Sequence, residues 1–158
     1  MDKTNRKTRI TKRSFNQMRD HSDEVAVMQA AGNVMLPVVH MKFHGKTMKF
    51  LLDTGSDANY LDDRIFELLK DNMEYRKMEG FTIGAAGKQI PRSYLAKMDL
   101  GLAGRTYETH FSVMRLGCFP DDVILSTLPF YGILGCDFLI RNHWILDFQK
   151  YVVQEKKL

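Results

Sequence analysis

The chain is poor in cross-linking and metal-binding residues. It has two cysteines, Cys118 and Cys136, without a CxxC spacing or a histidine pair at ligand distance, so neither a zinc site nor a redox motif is indicated. Buried thiols are the expectation. The five histidines are scattered along the chain, and no metal is implied. Long apolar runs are also missing: the longest, from Val123 to Ile140, is interrupted by Ser, Thr, Pro, Gly and Asp, short of the roughly 18 apolar residues that a span requires. An integral membrane protein is excluded on that reading. The first residues, MDKTNRKTRITKRSFNQMRD, are basic but have no apolar stretch behind them, which argues against a secretory signal and leaves the cytoplasm as the expected compartment.

What is present fits one ordinary domain. With 158 residues, 44% apolar and 27% charged, the chain is too short for a two-lobed enzyme. Charge is unevenly divided. Residues 1–22 hold seven Lys/Arg against two Asp, net +5, whereas residues 23–158 hold 16 against 17, net −1. The body is nearly neutral, and the tail makes the chain basic. A basic tail can touch nucleic acid or an acidic membrane surface, but this one lacks interleaved aromatics and a folded motif. The expectation for residues 1–22 is a solvated, disordered extension, with nucleic acid disfavoured as a partner.

Residues 23–33 read as a short helix or arm, DEVAVMQAA, stopped at Gly32-Asn33. From residue 34 to 158 a period of two takes over. Val39, Met41 and Phe43 alternate with His40, Lys42 and His44, and after a turn at Gly45 the alternation resumes through Met48, Phe50 and Leu52. This predicts a β-hairpin whose second strand runs into Asp53. Leu61, Ile65, Leu68 and Leu69 then stand at helical spacing, with acids before them and Lys70 after. Two glycines at the tip of Phe81 to Ile90 predict a long hairpin, and Met98 to Val113 a second one, turning at Ala103-Gly104. An apolar strand to Gly135, a short helix or turn over Asp137 to Asn142, and two more strands complete a mostly β body.

Chemistry concentrates in Phe50-Leu-Leu-Asp-Thr-Gly-Ser-Asp57, an apolar strand ending abruptly in a carboxylate, a hydroxyl and a glycine. A strand end is a rigid place to present an acid, and glycine allows a tight turn and close backbone approach. By chance the tripeptide would occur in about one chain in fifty of this length, so alone it is a weak signal. It is followed 82 positions after Asp53 by Gly135, within Gly132-Ile-Leu-Gly-Cys-Asp-Phe-Leu139, with a glycine-tipped hairpin between the two segments.

Together these segments resemble the retropepsin-like aspartic protease family, of the single-lobed cellular and bacterial type, over roughly residues 34–153. The resemblance implies a closed single-lobe β-barrel, the acid protease fold, with one or two short helices and a flap hairpin. Asp53 would be the catalytic acid/base, with Thr54 bracing paired loops across a two-fold axis, Gly55 shaping the loop and Ser56 available to the carboxylate. Ile83, Gly84, Ala85, Ala86 and Gly87 would form the flap tip, and Ile133, Leu134 and Gly135 the strand beside the catalytic loop. Asp57 is expected to turn outward or cap the next loop, and Asp137 to cap the short C-terminal helix.

Peptide hydrolysis by this route uses two carboxylates sharing a proton, and the handling of that proton by an aspartic dyad is a general pattern. The chain has one Asp-Thr-Gly. A homodimer is therefore expected, with an extended peptide as substrate and with no cofactor or metal, water being the nucleophile. Candidate pocket walls are Leu52, Ile83, Ile90, Pro129 and Ile133. Two alternatives stay open: a catalytically silent retropepsin-fold module for peptide binding or dimerisation, and a nucleic-acid-associated protein resting on the tail alone.

Overall fold

The computed structural model describes residues 24–31, 34–84 and 86–156. The basic tail, the stop expected at Gly32-Asn33 and Ala85, expected at the tip of a flap, lie outside the described residues. Six strands close a barrel. They are β3 (Val34–Phe43), β4 (Lys46–Leu52), β5 (Tyr60–Asp62), β9 (Tyr94–Leu102), β10 (Arg105–Met114) and β11 (Gly132–Leu134). Around the ring the order is β3-β4-β11-β5-β10-β9, and the circuit closes where Lys42 of β3 pairs with Gly101 of β9. The mostly β architecture expected from the alternating pattern is thus the one observed.

Alternation explains the interior. Val39, Met41 and Phe43 from β3 and Met48, Phe50 and Leu52 from β4 all point inward, where they meet Leu61, Met98, Leu100, Phe111, Val113 and Leu134. Phe50 and Phe111 stack with ring centroids 5.3 Å apart and are fully buried, so truncating either to alanine is expected to cost about 3–5 kcal/mol. Helix α1 (Asp63–Leu69) seals one end through Ile65, Phe66 and Leu69. It starts later than its apolar spacing suggested: Leu61 belongs to β5, and Asp62 is the N-cap, accepting from the Arg64 amide. Helix α2 (Cys136–Arg141) follows β11 and buries Phe138.

A second apolar cluster sits outside the barrel. It comprises Val38, Tyr60, Met114, Leu116 and Phe130, with Leu51, Ala58, Ile90 and Ile133 packed against it. Val38, Leu51, Tyr60, Met114 and Ile133 are residues of the barrel strands that face away from the core, so the sheet is apolar on both sides over this stretch, and Ala58, Ile90, Leu116 and Phe130 add to them from neighbouring segments.

Two details differ from expectation: where it is described, the short helix or arm over residues 23–33 is extended rather than helical, and the thiols are not buried. Residues 24–31 are not helical but form β1 (Glu24–Ala26) and β2 (Met28–Ala31). Val25 pairs with Val153 and Met28 with Pro37, and between the strands Val27 is buried and donates its amide to the Tyr151 carbonyl at 3.1 Å. Partners distant in sequence override a weak helical preference. Nor are the thiols buried: Cys118 is exposed and Cys136 partly so. Strands β12 (Trp144–Asp147) and β13 (Val152–Glu155) join β1 in a small sheet of order β1-β13-β12.

β6 (Glu74–Lys77) extends the barrel sheet at β9, while β7 (Phe81–Ile83) and β8 (Gln89–Pro91) pair only with each other. Among the described residues no helix is long and apolar enough to cross a membrane.

Candidate active site

Strand β4 delivers Asp53 to the end of the barrel wall, and the loop from 53 to 59 is then bound to the junction of β11 and α2. The Asp53 amide donates to the Leu134 carbonyl at 3.1 Å, continuing the parallel pairing of β4 with β11 in which Leu52 lies opposite Leu134. The Cys136 amide donates to the Ser56 carbonyl at 2.7 Å, and the Asp137 amide to the Asp57 carbonyl at 3.2 Å. These are amides of the first turn of α2, which have no partner within the helix and here take their acceptors from the loop. The Cys136 thiol adds a contact to the Thr54 carbonyl at 3.1 Å.

Close approach explains why glycines stand at both ends of Gly132-Ile133-Leu134-Gly135. A Cβ on Gly132 would meet the Tyr60 carbonyl oxygen at 2.5 Å, and one on Gly135 the Ala58 carbonyl oxygen at 2.3 Å. Gly135 has φ −92°, so space rather than backbone handedness requires glycine there. Its amide donates to Asn59 Oδ1 at 3.0 Å, and Asn59 Nδ2 donates to the His110 carbonyl at 3.2 Å. Buried Asn59 thus joins three barrel segments through one side chain.

The carboxylate itself is half-buried and held from below. Gly55 donates its amide to Asp53 Oδ1 at 2.8 Å, and Ser56 donates its amide to the Asp53 carbonyl at 3.1 Å. A side chain at Gly55 would bring Cβ to 3.1 Å from the same carboxylate oxygen. Thr54 and Gly55 are exposed, so the motif faces out of the single chain. One carboxylate oxygen is occupied by a backbone donor and the group stands at the surface of the loop, which is an arrangement able to accept or donate a proton at a second molecule.

Three of the residues singled out from the sequence behave differently from expectation. The Ser56 hydroxyl does not reach the carboxylate; it donates to the Ala58 carbonyl at 2.8 Å, a local turn bond that uses its one proton. Asp137 caps nothing with its side chain: Gly135 is the N-cap of α2, and Asp137 instead pairs with Arg141 one turn on at 3.0 Å. Leu52 is no pocket wall, being 3% exposed inside the barrel, whereas its neighbour Leu51 faces the outer cluster.

Asp57 is exposed, as expected, and accepts a long hydrogen bond from the Tyr60 hydroxyl at 3.4 Å. Ile90 and Ile133 both pack against the outer cluster, and Pro129 is half-buried. Ile83 stands 68% exposed on the hairpin β7–β8. In that hairpin Gly84 donates its amide to the Lys88 carbonyl at 2.9 Å and Gly87 has φ +73°, a value that favours glycine. Asn59 and Tyr60 went unnoticed in the sequence. Besides the nearby Asp57, Tyr60 reaches Thr82, 22 positions on, and Asn59 reaches Gly135, 76 positions on, and no local spacing announces these distant partners.

Beside the site, Asp62 forms a buried ion pair with Arg64 at 2.8 Å and also accepts from the Leu116 amide at 3.2 Å. Burial pushes the Asp62 carboxyl upward, but the hydrogen bonds from Arg64 and Leu116 outweigh it and hold the group below the usual carboxylate range. This pair ties α1 to the chain leaving β10. No cluster of metal-ligating side chains occurs among the described residues.

A closed six-stranded barrel with a strand-borne carboxylate, a glycine-restricted β11 and a free two-stranded hairpin is the retropepsin-like fold. The structure is similar to the retroviral protease-like domain of Ddi1 from Leishmania major, at 19% identity and a TM-score of 0.54, covering 80% of this chain and 92% of that one. It is also similar to a retropepsin-like aspartic protease from Rickettsia conorii, at 15% identity and a TM-score of 0.50, covering 82% and 87%. No protein-family model matches the chain, and no curated protein sequence matches it. At these identities the similarity shows the fold.

Proposed function

We propose that the chain is an aspartic endopeptidase whose working form is a homodimer, with one Asp53 from each copy forming the catalytic pair. The observation that carries this reading is the combination, on this fold, of Asp53 held by the Gly55 amide at 2.8 Å and a loop fixed to Gly135. A binding module on the same fold has no need of an acid presented in this way, which ranks the silent alternative second.

In the proposed reaction one Asp53 is ionised and takes a proton from water, while the neutral partner polarises the scissile carbonyl. The water oxygen bonds to the carbonyl carbon. Collapse of the tetrahedral species then breaks the C–N bond, with the proton passing to the leaving amine. Thr54, exposed in the single chain, would bridge the two loops, and Gly55 would let the substrate backbone approach. Because β13 is flanked on both sides by strands of its own chain, a second copy would add at the free edge of β12 or of β1. The hairpin β7–β8 serves as the flap, and Leu51, Ile83, Ile90 and Ile133 offer apolar walls to an extended peptide paired by strand addition. Its substrate class is accordingly peptide segments with apolar residues near the cut.

Cleavage of a denatured protein mixture from about pH 3 to about pH 8, with mass measured by light scattering in the same samples, tests the reading. Wild type should cut as a dimer, and Asp53→Asn should lose activity by about a hundredfold or more while keeping the same mass. A dimer in which neither protein cuts any substrate would contradict it and favour the binding module.

A further inference from the structure

Among the described residues the hairpin β7–β8 is a two-stranded sheet of its own, tied at its base to β6 and β9 by backbone bonds from the Arg92 amide to the Gly80 carbonyl at 3.1 Å and from the Met78 amide to the Ser93 carbonyl at 3.0 Å. Along β7 the burial alternates: Phe81 and Ile83 are exposed, and Thr82 between them faces the body of the protein. There Thr82 Oγ1 lies 3.1 Å from the Tyr60 hydroxyl. Tyr60 is fixed, being 8% exposed, its ring packed with Val38, Met114, Leu116 and Phe130 and its backbone in β5. The same hydroxyl is 3.4 Å from Asp57 Oδ1. A carboxylate can only accept, so Tyr60 donates to Asp57 and Thr82 donates to Tyr60, giving a chain of donors that runs one way, from hairpin to loop.

We propose that Tyr60 and Thr82 form a latch that holds the hairpin down against the site loop, with Asp57 orienting the Tyr60 hydroxyl. Tyr60 and Thr82 are positioning residues here, neither of them touching reacting atoms. Opposite Thr82 in register, Ile90 packs on the same outer cluster, so beyond the backbone bonds at its base the described part of the hairpin is secured to the body by one side-chain hydrogen bond and one apolar side chain. Gly80, with φ +116° just before β7, is the natural pivot below it. The description of the hairpin as a flap rests on the protease reading, but the latch is a property of the folded chain and can be measured without activity.

A two-stranded ribbon detached from its support is only marginally stable in water, so release of the latch should appear as fraying. Hydrogen exchange of the full chain therefore reads it. Tyr60→Phe, which keeps the ring, and Thr82→Val, which keeps the shape, should each speed amide exchange in residues 81–91 by about three- to tenfold, leaving β9 and β10 unchanged. The double variant should exchange no faster than either single one, since both remove the same bond. Thr82→Ser should restore the wild-type rate. Unchanged exchange in residues 81–91, additive effects, or equal acceleration throughout the barrel would overturn the latch. Failure to find proteolysis would leave these exchange results untouched, so the two readings fail separately.

Discussion

The two arms that face each other across the site are built on opposite terms. The loop from Asp53 to Asn59 is fixed from several directions: backbone bonds to Leu134, Cys136 and Asp137, a buried asparagine under Gly135, and carbonyls packed too closely to admit a Cβ. The hairpin from Phe81 to Pro91 has its own short ladder, exposed Phe81 and Ile83, and one side-chain hydrogen bond to the body. On the proposed reading the loop is a rigid floor that would keep a carboxylate where chemistry needs it, and the hairpin a lightly held roof that would let an extended chain enter. Dense and sparse anchoring are thus assigned to different segments only about 25 residues apart in sequence.

The contrast can be broken most severely at the floor. Gly135→Ala would drive a Cβ into the Ala58 and Ser56 carbonyl oxygens, neither of which can move without shifting the loop. A loss of about 5 kcal/mol or an unfolded product is expected, read by denaturant melts. Asp62→Asn comes next. It leaves Arg64 without its buried partner and should cost about 3–5 kcal/mol at neutral pH. Because the folded carboxyl lies below its ordinary value, its contribution is present above the unfolded value of about 4 and is lost as pH falls through the folded one. The gap between wild type and Asp62→Asn should therefore narrow in acid; a gap that widens there would contradict the assignment. The smallest effect belongs to the roof. Gly87→Ala meets open space but places alanine at φ +73°, so about 1 kcal/mol is expected, confined to the hairpin and visible in its exchange rather than in global melting.

The same contrast explains what could be read from the sequence. Barrel strands announce themselves by a period of two, and the Asp53 turn and the Gly132 to Leu139 segment are contiguous motifs, so the fold and the carboxylate were legible. The Leu52 error is one of parity: it shares a face with Phe50 and Met48, and that period already placed it in the core beside them. In the sequence the carboxylate and the neighbouring carbonyls are equal candidates to accept from the Ser56 hydroxyl, and only the folded turn shows that the Ala58 carbonyl takes its proton. Contacts such as Tyr60 with Thr82, or Asn59 with Gly135, join residues whose spacing follows no local period. For β1 and β2 the decisive partners, Tyr151 to Gln154 and Val34 to Pro37, lie outside the segment that reads as a short helix or arm.

The central claim is that two copies of Asp53 act together. Mixing wild type with Asp53→Asn under conditions that allow subunit exchange tests it most directly, since each mixed dimer then carries one carboxylate. If the pair is required, activity falls as the square of the wild-type fraction, to about one quarter in an equal mixture. A fall in simple proportion, to about one half, would mean that a single Asp53 suffices and would contradict the shared site.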